Sequence, residues 1–172
     1  IQKIMSASLP QGFPQPTEVN NIEVKEYPQY RGITYTHTGD SRMATRVAFD
    51  PLYQHISKNQ IAMTTPVEAR YIKENQQTEV SFLYSTPDLT PQKIDSQVIV
   101  RDTSPMTVVS IGVQGAYSWE SYEQNLQKLK HWLIQHPEYE VVSSPRRLLY
   151  NSPMTPEDLK RSEVQIAIRL KS

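Results

Sequence analysis

Four histidines and no cysteines set the first limits on the chemistry of this chain. Without cysteine it has no disulfides, zinc–thiolate sites or cysteine nucleophiles. No stretch matches HExxH, GxSxG, a Walker loop or GxGxxG, the short motifs of zinc hydrolases, serine hydrolases and nucleotide-binding sites. No local arrangement of Ser, His and Asp identifies a nucleophile either. We therefore predict a protein that is not an enzyme.

His37 lies where the surrounding pattern expects an apolar residue. It shares one face of a predicted strand with Ile33 and Tyr35, and the residue 76 positions later, Val113, is apolar. A histidine in such a place serves as a metal ligand, as a polar contact in a cavity, or as a half-buried group bonded to a nearby carbonyl. The other three histidines are predicted on helix surfaces: His55, His131 and His136.

Hydrophobic alternation defines the strands of the first half. It predicts strands over Ile22–Tyr27, Arg31–Gly39, Gln60–Tyr71 and Thr78–Ser85. The third of these contains Pro66, which interrupts the strand or places it at a sheet edge. A glycine and two polar residues then mark the turn from the second strand into a helix.

A helical pattern covers Ser41–Ser57. Its apolar residues recur at intervals of four, and a neighbouring stripe of the same helix carries Arg46, Phe49 and Tyr53. Pro51 lies inside the pattern, where proline removes a hydrogen bond and costs about 3 kcal/mol. Either the helix bends there, or a second short helix begins with Pro51 at its first position.

The second half of the chain repeats the first. Gly39 and Gly115 each follow a strand pattern and precede a helical one, and each half closes with a strand that opens on Glu-Val. The pseudo-repeats cover about residues 21–85 and 97–170. Each contains strand, helix, strand and strand, with one further strand before or after. The sequence predicts an α+β fold in which tandem duplicated βαββ units form an antiparallel, barrel-like sheet with two long helices packed on it.

The helix of the second half has the stronger pattern. Its apolar residues are spaced four, three and four apart: Tyr122, Leu126, Leu129 and Leu133. Ser121 and Gln124 fit a capping box at its start, and His136-Pro137 is expected to end it. Charged residues occupy the opposite side, which we interpret as a solvated surface.

Composition and charge narrow the range of partners. The 172 residues include 18 Lys+Arg and 18 Asp+Glu, a formal net charge of zero, so we expect no binding to the phosphates of nucleic acids. No run approaches the roughly 20 apolar residues of a membrane-spanning helix. We expect a soluble protein, with the cytoplasm favoured over the periplasm or an organelle. Residues 1–20 are predicted as an extended arm, and residues 21–172 as a single domain.

Three stretches, in the same order, resemble signatures of the SOUL haem-binding family. Ile22–Tyr27, IEVKEY, resembles the Tyr-Glu-x-Arg-x-Tyr opening of these proteins, and Met63–Val67, MTTPV, resembles their MT-x-PV core. Tyr150–Val164, YNSPMTPEDLKRSEV, resembles their closing signature, Tyr-x-x-Pro followed by Arg-x-x-Glu-Val. The family fold is a duplicated βαββ unit, shared with bacterial effector-binding domains of the GyrI type.

This resemblance implies reversible binding of haem b or another tetrapyrrole. In the family the ligand lies in a groove between the first helix and a loop near the C-terminal strands. Matched residue by residue, the groove corresponds to six positions of this chain: Arg46, Phe49, Tyr53, Met154, Thr155 and Lys160. The aromatic rings and the methionine suit the apolar plane of a porphyrin, and the basic side chains suit its propionates. His37 is the residue available as an axial ligand to haem iron.

Two positions depart from the family pattern. Glu26 stands where a histidine has been proposed as axial ligand in haem-coordinating members, and Thr155 stands where the groove loop carries a basic residue. The chain would therefore use another ligand or hold the ring by packing alone. The alternative function is that of a GyrI-type domain, which binds a small-molecule effector or resembles a hydrolase. The hydrolase-like members use a glutamate in a cavity, and this resemblance implies Glu79 or Glu163, each near the start of a predicted strand, as the candidate general base. A structural role explains both glutamates equally well.

Overall fold

The strands of this chain join into one curled antiparallel sheet. The computed structural model describes residues 7–73 and 76–172, and within them the sheet has nine strands. In chain order these are β1 (Ile22–Tyr27), β2 (Tyr30–Thr38), β3 (Val67–Lys73), β4 (Gln77–Leu83), β5 (Ile99–Thr103), β6 (Met106–Gln114), β7 (Tyr139–Val141), β8 (Arg146–Leu149) and β9 (Arg161–Leu170). The helices are α1 (Ala44–Lys58) and α2 (Trp119–Gln135), with short 3-10 turns at Ser41–Met43 and Glu157–Leu159.

The order of the strands reflects the duplication. Across the sheet the strands follow as β1-β6-β9-β8-β3-β4-β2-β5, with β7 beside β9. Apart from β7, exchanging each strand for its counterpart in the other half reverses the order and leaves the same neighbours. The first strand of each half pairs with the second strand of the other half, as β1 with β6 and β5 with β2. The predicted α+β fold is confirmed: two helices lie on a sheet curled into a half-barrel.

Both helices pack on the same face of the sheet. Strand β3 contributes Val67 to the core under α1, and Ala69 and Tyr71 to the core under α2. These alternate positions of one strand share a face. The predicted stripe of α1 is buried: Ala44, Ala48, Leu52 and Ile56. In α2 the predicted residues Tyr122, Leu126 and Leu129 are buried, and Leu133 is partly buried. Neither helix has the length and apolarity to span a membrane, nor does any other helix in the described ranges.

The opposite face, called the arm face below, is partly covered by the segment that precedes β1. Phe13 of this segment meets the rings of Tyr27 and Tyr30 edge to face, with centroids 5.0 and 5.1 Å away. Residues 7–20 of the predicted arm therefore pack along the sheet. Residues 1–6 of the arm lie outside the described residues.

Local geometry corrects three predicted boundaries. Helix α1 continues through Pro51, so the interpretation as two short helices is wrong. Helix α2 begins earlier than the predicted capping box, because the side chain of Ser118 accepts the first hydrogen bond, from the backbone N–H of Ser121. The strand expected from Gln60 starts only at Val67, because Gln60 and Ile61 bond back to the end of α1 and Thr65 bonds to Ser8 of the arm.

Gly39 and Gly115 end equivalent strands with nearly the same backbone conformation. Their φ angles are +119° and +122°, a region that residues with a side chain rarely adopt. The turn that starts each helix is thus repeated, as the matched positions of the two glycines predicted.

Candidate functional site

The exposed side of α1 carries two aromatic rings that lie flat beside each other. Phe49 and Tyr53 have ring centroids 5.7 Å apart and an interplanar angle of 9°. Phe49 is 43% exposed and Tyr53 is 50% exposed, so they are not ordinary core residues of an amphipathic helix. Phe49 is fixed from the sheet side by Phe82, whose ring meets it edge to face at 5.5 Å. A flat apolar surface is therefore held open to solvent.

Arg46 lies on the same side of α1. It is exposed and stands about one turn before Phe49 and two turns before Tyr53, so the three share one helix face. We call Arg46, Phe49 and Tyr53 the aromatic face of α1. It can contact the plane of a large aromatic ligand, while its guanidinium pairs with acidic groups.

The loop between β8 and β9 carries the other three predicted groove residues. Met154 is 90% exposed, and Thr155 is half-buried. Lys160 is only 7% exposed, and its ammonium donates to Glu157 Oε1 at 2.6 Å. Of the two basic residues assigned to the groove, Arg46 extends into solvent, whereas Lys160 already has a carboxylate partner.

Hydrogen bonds show where this loop lies. Tyr117, just before α2, accepts from the backbone N–H of Asn151 through its hydroxyl oxygen at 3.0 Å. Thr65, in the segment that follows α1, donates to the carbonyl of Tyr150 at 2.9 Å. The loop is thus attached to the start of α2 and to the segment between α1 and β3. It lies toward the C-terminal end of α1, the end nearer to Tyr53.

His37 lies near the other end of α1, where β2 leads toward the helix. Its Nε2 is 3.0 Å from the carbonyl oxygen of Asp40, and coordination of iron through Nε2 would require this contact to be given up. The described residues contain no group of three or more His, Cys, Asp or Glu side chains that could hold a metal ion.

His55 is buried, so its predicted surface position is wrong. It is 2% exposed, and its Nε2 lies 2.8 Å from the hydroxyl oxygen of Tyr84. Burial lowers the pKa of His55 and raises the pKa of Tyr84 to about 12. Both groups are therefore neutral at pH 7. His131 is exposed as predicted, whereas His136 is half-buried and stacks on Trp132.

The arm face holds a charged network that the sequence patterns did not reveal. Glu163 is fully buried and accepts from the ammonium of Lys25, the backbone N–H of Thr17 and the hydroxyl of Tyr150, at 2.7, 2.6 and 2.6 Å. Burial, together with the charge of Glu163, raises the pKa of Tyr150 and keeps its hydroxyl a donor. The carboxylate of Glu163 is thus occupied by donors from three segments.

Two further ion pairs extend this network toward the first half. Arg146 donates to Glu68 Oε2 and to the hydroxyl oxygen of Tyr30, both at 2.6 Å. Glu79 pairs with Arg101 at 3.1 Å. The sequence signal for these ion pairs was the presence of charged residues in the middle of strand patterns. Their partners could be identified only once the order of the strands in the sheet was known. Both carboxylates considered as general bases are therefore held in ion pairs.

Solved structures share this fold at low sequence identity. The EcmrR C-terminal domain matches 88% of this chain over 98% of its own length, with a TM-score of 0.71 and 15% identity. In an EcmrR–DNA complex, the chain covers only 58% of the EcmrR chain. A hydrolase from Listeria innocua matches 90% of this chain over 94% of its own, with a TM-score of 0.64 and 12% identity. SAV2435 bound to tetraphenylphosphonium matches 87% over 94%, with a TM-score of 0.51 and 9% identity.

At these identities the structural matches show the fold alone. No curated protein sequence matches this chain. The profile of the family described as SOUL heme-binding protein matches residues 13–167, which include α1, the β8–β9 loop and both halves of the sheet. This match covers most of the chain and contains all three signature stretches. The chain therefore belongs to the SOUL haem-binding protein family.

Proposed function

We propose that this chain binds haem b or a related tetrapyrrole reversibly, with the macrocycle against the aromatic face of α1. One observation carries the proposal: Phe49 and Tyr53 lie nearly parallel and about half exposed on a helix whose other side is fully buried. A porphyrin is a wide apolar plane, and burial of such rings against it is favourable. Membership of the SOUL family supports the same class of ligand.

The neighbouring side chains have complementary roles in this proposal. Arg46 is exposed and can pair with one propionate. Met154 and Thr155 of the β8–β9 loop can contact the ring or its edge, since methionine adapts to irregular apolar surfaces. Lys160 can reach a propionate only after it exchanges its bond with Glu157.

Iron is secondary in this proposal, because the ring and the propionates supply most of the contact area. Haem iron, when bound, would add redox and ligand-binding chemistry. His37 is the proposed axial ligand, and it would exchange the carbonyl of Asp40 for the metal. His37→Ala should then abolish any six-coordinate haem spectrum. An unchanged spectrum would exclude His37 as the ligand.

Hemin titration followed in the Soret region tests the proposal. We expect a saturable change at micromolar haem, and about tenfold weaker binding after Phe49→Ala together with Tyr53→Ala, because each aromatic contact is worth about 0.5–1.5 kcal/mol beyond its buried area. Ile134→Ala is the matched control, since it removes an apolar side chain that is 76% exposed on α2. The absence of a saturable change in the unmodified protein would refute tetrapyrrole binding.

A second candidate is a GyrI-type domain that binds or hydrolyses small molecules. Its support is the fold that this chain shares with two solved structures. One is SAV2435 bound to tetraphenylphosphonium, and the other is a hydrolase from Listeria innocua. Against catalysis, Glu163 is surrounded by donors and Glu79 is ion-paired, so neither carboxylate is available as a base. A thermal-shift screen separates the candidates: stabilisation by tetraphenylphosphonium but not by porphyrins would favour the GyrI-type function.

A further inference from the structure

A small cavity opens on the arm face where β2, β3 and β4 of the first half meet β5 of the second half. Its volume is about 10 Å³, room for a single oxygen-sized group. Its lining includes the hydroxyl side chains of Thr34 and Ser81 and the charged side chains of Arg70, Glu79 and Arg101. Because the helices lie on the other face of the sheet, this cavity is separate from the aromatic face of α1.

Positive charge is in excess beside this cavity. Glu79 is shared by two guanidinium groups: Arg101 Nη2 lies 3.1 Å from its Oε2, and Arg70 Nη1 lies 3.7 Å from its Oε1. The Nε of Arg101 is buried and has no hydrogen-bond partner among residues 7–73 and 76–172. A buried donor without an acceptor is destabilising, because the water it bonded in the unfolded chain is not replaced. The cavity therefore favours the addition of an acceptor oxygen.

A second unpaired donor lies close to the same cavity. Arg146 is buried, and its Nη2 also lacks a partner in the part of the chain that the structure describes. Its Nη1 binds Glu68 and Tyr30, and both of these residues line the cavity. The charges of Arg146 and Glu68 compensate each other. One guanidinium charge from the pair that shares Glu79 is left without a counterion.

The corresponding ion pair of the duplication, Lys25 with Glu163, shows which groups such a centre binds. Lys25 stands 76 residues before Arg101, and Glu163 opens the strand that corresponds to the strand of Glu79. The ammonium of Lys25 donates to Glu163 at 2.7 Å and to two oxygens of the arm at 2.9 and 3.2 Å. Around Lys25 and Glu163, acceptor oxygens from the arm thus complete the centre. The unpaired Nε of Arg101 marks the place of the missing acceptor in the centre around Glu79.

We propose that this cavity is a second ligand site, which binds the carboxylate group of a small organic acid. One carboxylate oxygen fills the cavity and accepts from Arg101, and the other accepts from Arg70 at the partly exposed mouth. A carboxylate is favoured over a neutral carbonyl because it also compensates the unmatched guanidinium charge. The remainder of the acid stays in the solvent-facing mouth, since the cavity has room for one oxygen only.

Titration with sodium acetate tests this site directly. The isotope-labelled full chain is titrated while sodium chloride is reduced in step, so that the ionic strength stays constant. We expect a saturable shift of the Nε–H resonance of Arg101, and a smaller response to sodium phosphate, because the mouth beside the two guanidinium groups would have to admit a tetrahedral anion instead of a planar one. Arg101→Lys keeps the charge but removes the Nε–H, and it should weaken acetate binding about fivefold, since a charge-assisted hydrogen bond is lost.

Glu79→Gln distinguishes a ligand site from a purely structural ion-pair group. The substitution removes the carboxylate that competes with the ligand, so acetate should bind about tenfold more tightly. If the ion pairs serve only the fold, the variant loses stability without any gain in affinity. Glu140→Gln is the matched control, because Glu140 pairs with Arg169 on the exposed surface, and it should leave acetate binding unchanged.

The proposal is overturned if the unmodified protein shows no saturable acetate shift, if phosphate binds more tightly than acetate, or if chloride alone produces the same shift. Circular dichroism checks that each variant is folded. Should Glu79→Gln fail to fold, Arg70→Lys replaces it and is expected to weaken acetate binding, because the planar two-donor geometry is lost. An unchanged acetate affinity in Arg70→Lys would also contradict the proposal.

Discussion

The exposure of single side chains decides which predicted site residues can meet a ligand. Phe49 and Tyr53 offer their rings to solvent without leaving the helix, because the opposite stripe of α1 supplies the core contacts. Clustered exposed aromatic surface is unusual on a soluble domain and commonly marks a binding site. Lys160 shows the reverse, because its predicted role as a propionate partner requires a bond to Glu157 to be exchanged.

Replacing Glu157 by glutamine should therefore strengthen haem binding. The carboxylate of Glu157 holds the ammonium of Lys160 at 2.6 Å and competes with a propionate for it, so we expect about two- to fivefold tighter binding. Asp158→Asn is the control, since it removes the same charge from the neighbouring position. Hemin titrations of both variants measure the difference, and equal effects would point to long-range charge alone and exclude Lys160 from the site.

His55 should make the stability of the protein depend on pH. Its folded-state pKa is lowered by burial, below the ordinary value of about 6.5. As the pH falls below that value, the unfolded chain takes up a proton that the folded chain does not. The free energy of unfolding therefore decreases, by at most about 1.4 kcal/mol per pH unit, whereas above it both states are neutral and the effect vanishes.

Urea unfolding at pH values above and below the ordinary histidine pKa measures the effect of His55 on the free energy of unfolding. His55→Gln should be less stable than the parent near neutral pH, because the contact with Tyr84 is altered, but its stability should change less with pH. His131→Gln, a substitution on the exposed side of α2, should keep the slope of the parent. A slope that His55→Gln leaves unchanged would assign the pH dependence to other groups.

Periodicity located the aromatic face and His55 on α1 but could not predict which of their side chains are exposed. The spacing of Arg46, Phe49 and Tyr53 placed them on one helix face, and only the structure shows that this face is exposed instead of buried in the core. His55 was misplaced because a count of apolar positions treats histidine as polar. Its partner Tyr84 lies 29 residues away in the chain, and such long-range pairing is not visible in local patterns.

At the scale of elements, the start of α2 offers a direct test of helix capping. Ser118 accepts the backbone N–H of Ser121 and satisfies one of the free donors at the helix start. Ser118→Ala should lower the free energy of unfolding by about 1 kcal/mol, the usual cost of a lost N-cap. Ser121→Ala, the cap predicted from sequence, should cost less. Chemical denaturation compares the two, and a larger loss in Ser121→Ala would contradict the assignment.

Elements with strong periodicity were predictable, and short or strained ones were not. The stripes of α1 and α2 follow from a period of 3.6 residues, and β2 and β6 follow from alternation. Strand β7 has three residues, too few to show a period. The continuous course of α1 through Pro51 depends on packing of its buried stripe, which outweighs the local cost of proline.

At the scale of the whole molecule, the sheet separates two faces with different chemistry. The helix face is apolar and presents the aromatic face of α1 at its outer surface, whereas the arm face is built on ion pairs. The order of the elements indicated the duplication, but the exchange of first strands between the halves could not be derived from it. Strand pairing depends on contacts between segments far apart in the chain, such as β1 with β6.

The arm is coupled to the sheet at Gly112, and this coupling can be tested. A Cβ at this position would overlap the carbonyl oxygens of Thr17 and Glu18, so Gly112→Ala should displace the arm from β6. We expect hydrogen exchange at the amide of Asn20, which donates to the Gly112 carbonyl at 2.8 Å, to become about tenfold faster. The free energy of unfolding should fall by about 1–3 kcal/mol, as is usual for overpacking.

Gly115→Ala provides the contrast that identifies the cause of any change in Gly112→Ala. A Cβ at Gly115 meets no atom within 4 Å, but the backbone there has a φ of +122°, so this variant loses stability through backbone strain alone. It should leave exchange at Asn20 unchanged relative to the core amides. If both variants accelerate Asn20 equally, the arm follows the global stability of the sheet. Faster exchange at Asn20 in Gly112→Ala alone would instead show that the arm detaches as a unit. Lys25 would then lose its two acceptors in the arm, the carbonyl of Gln15 and the hydroxyl of Thr17.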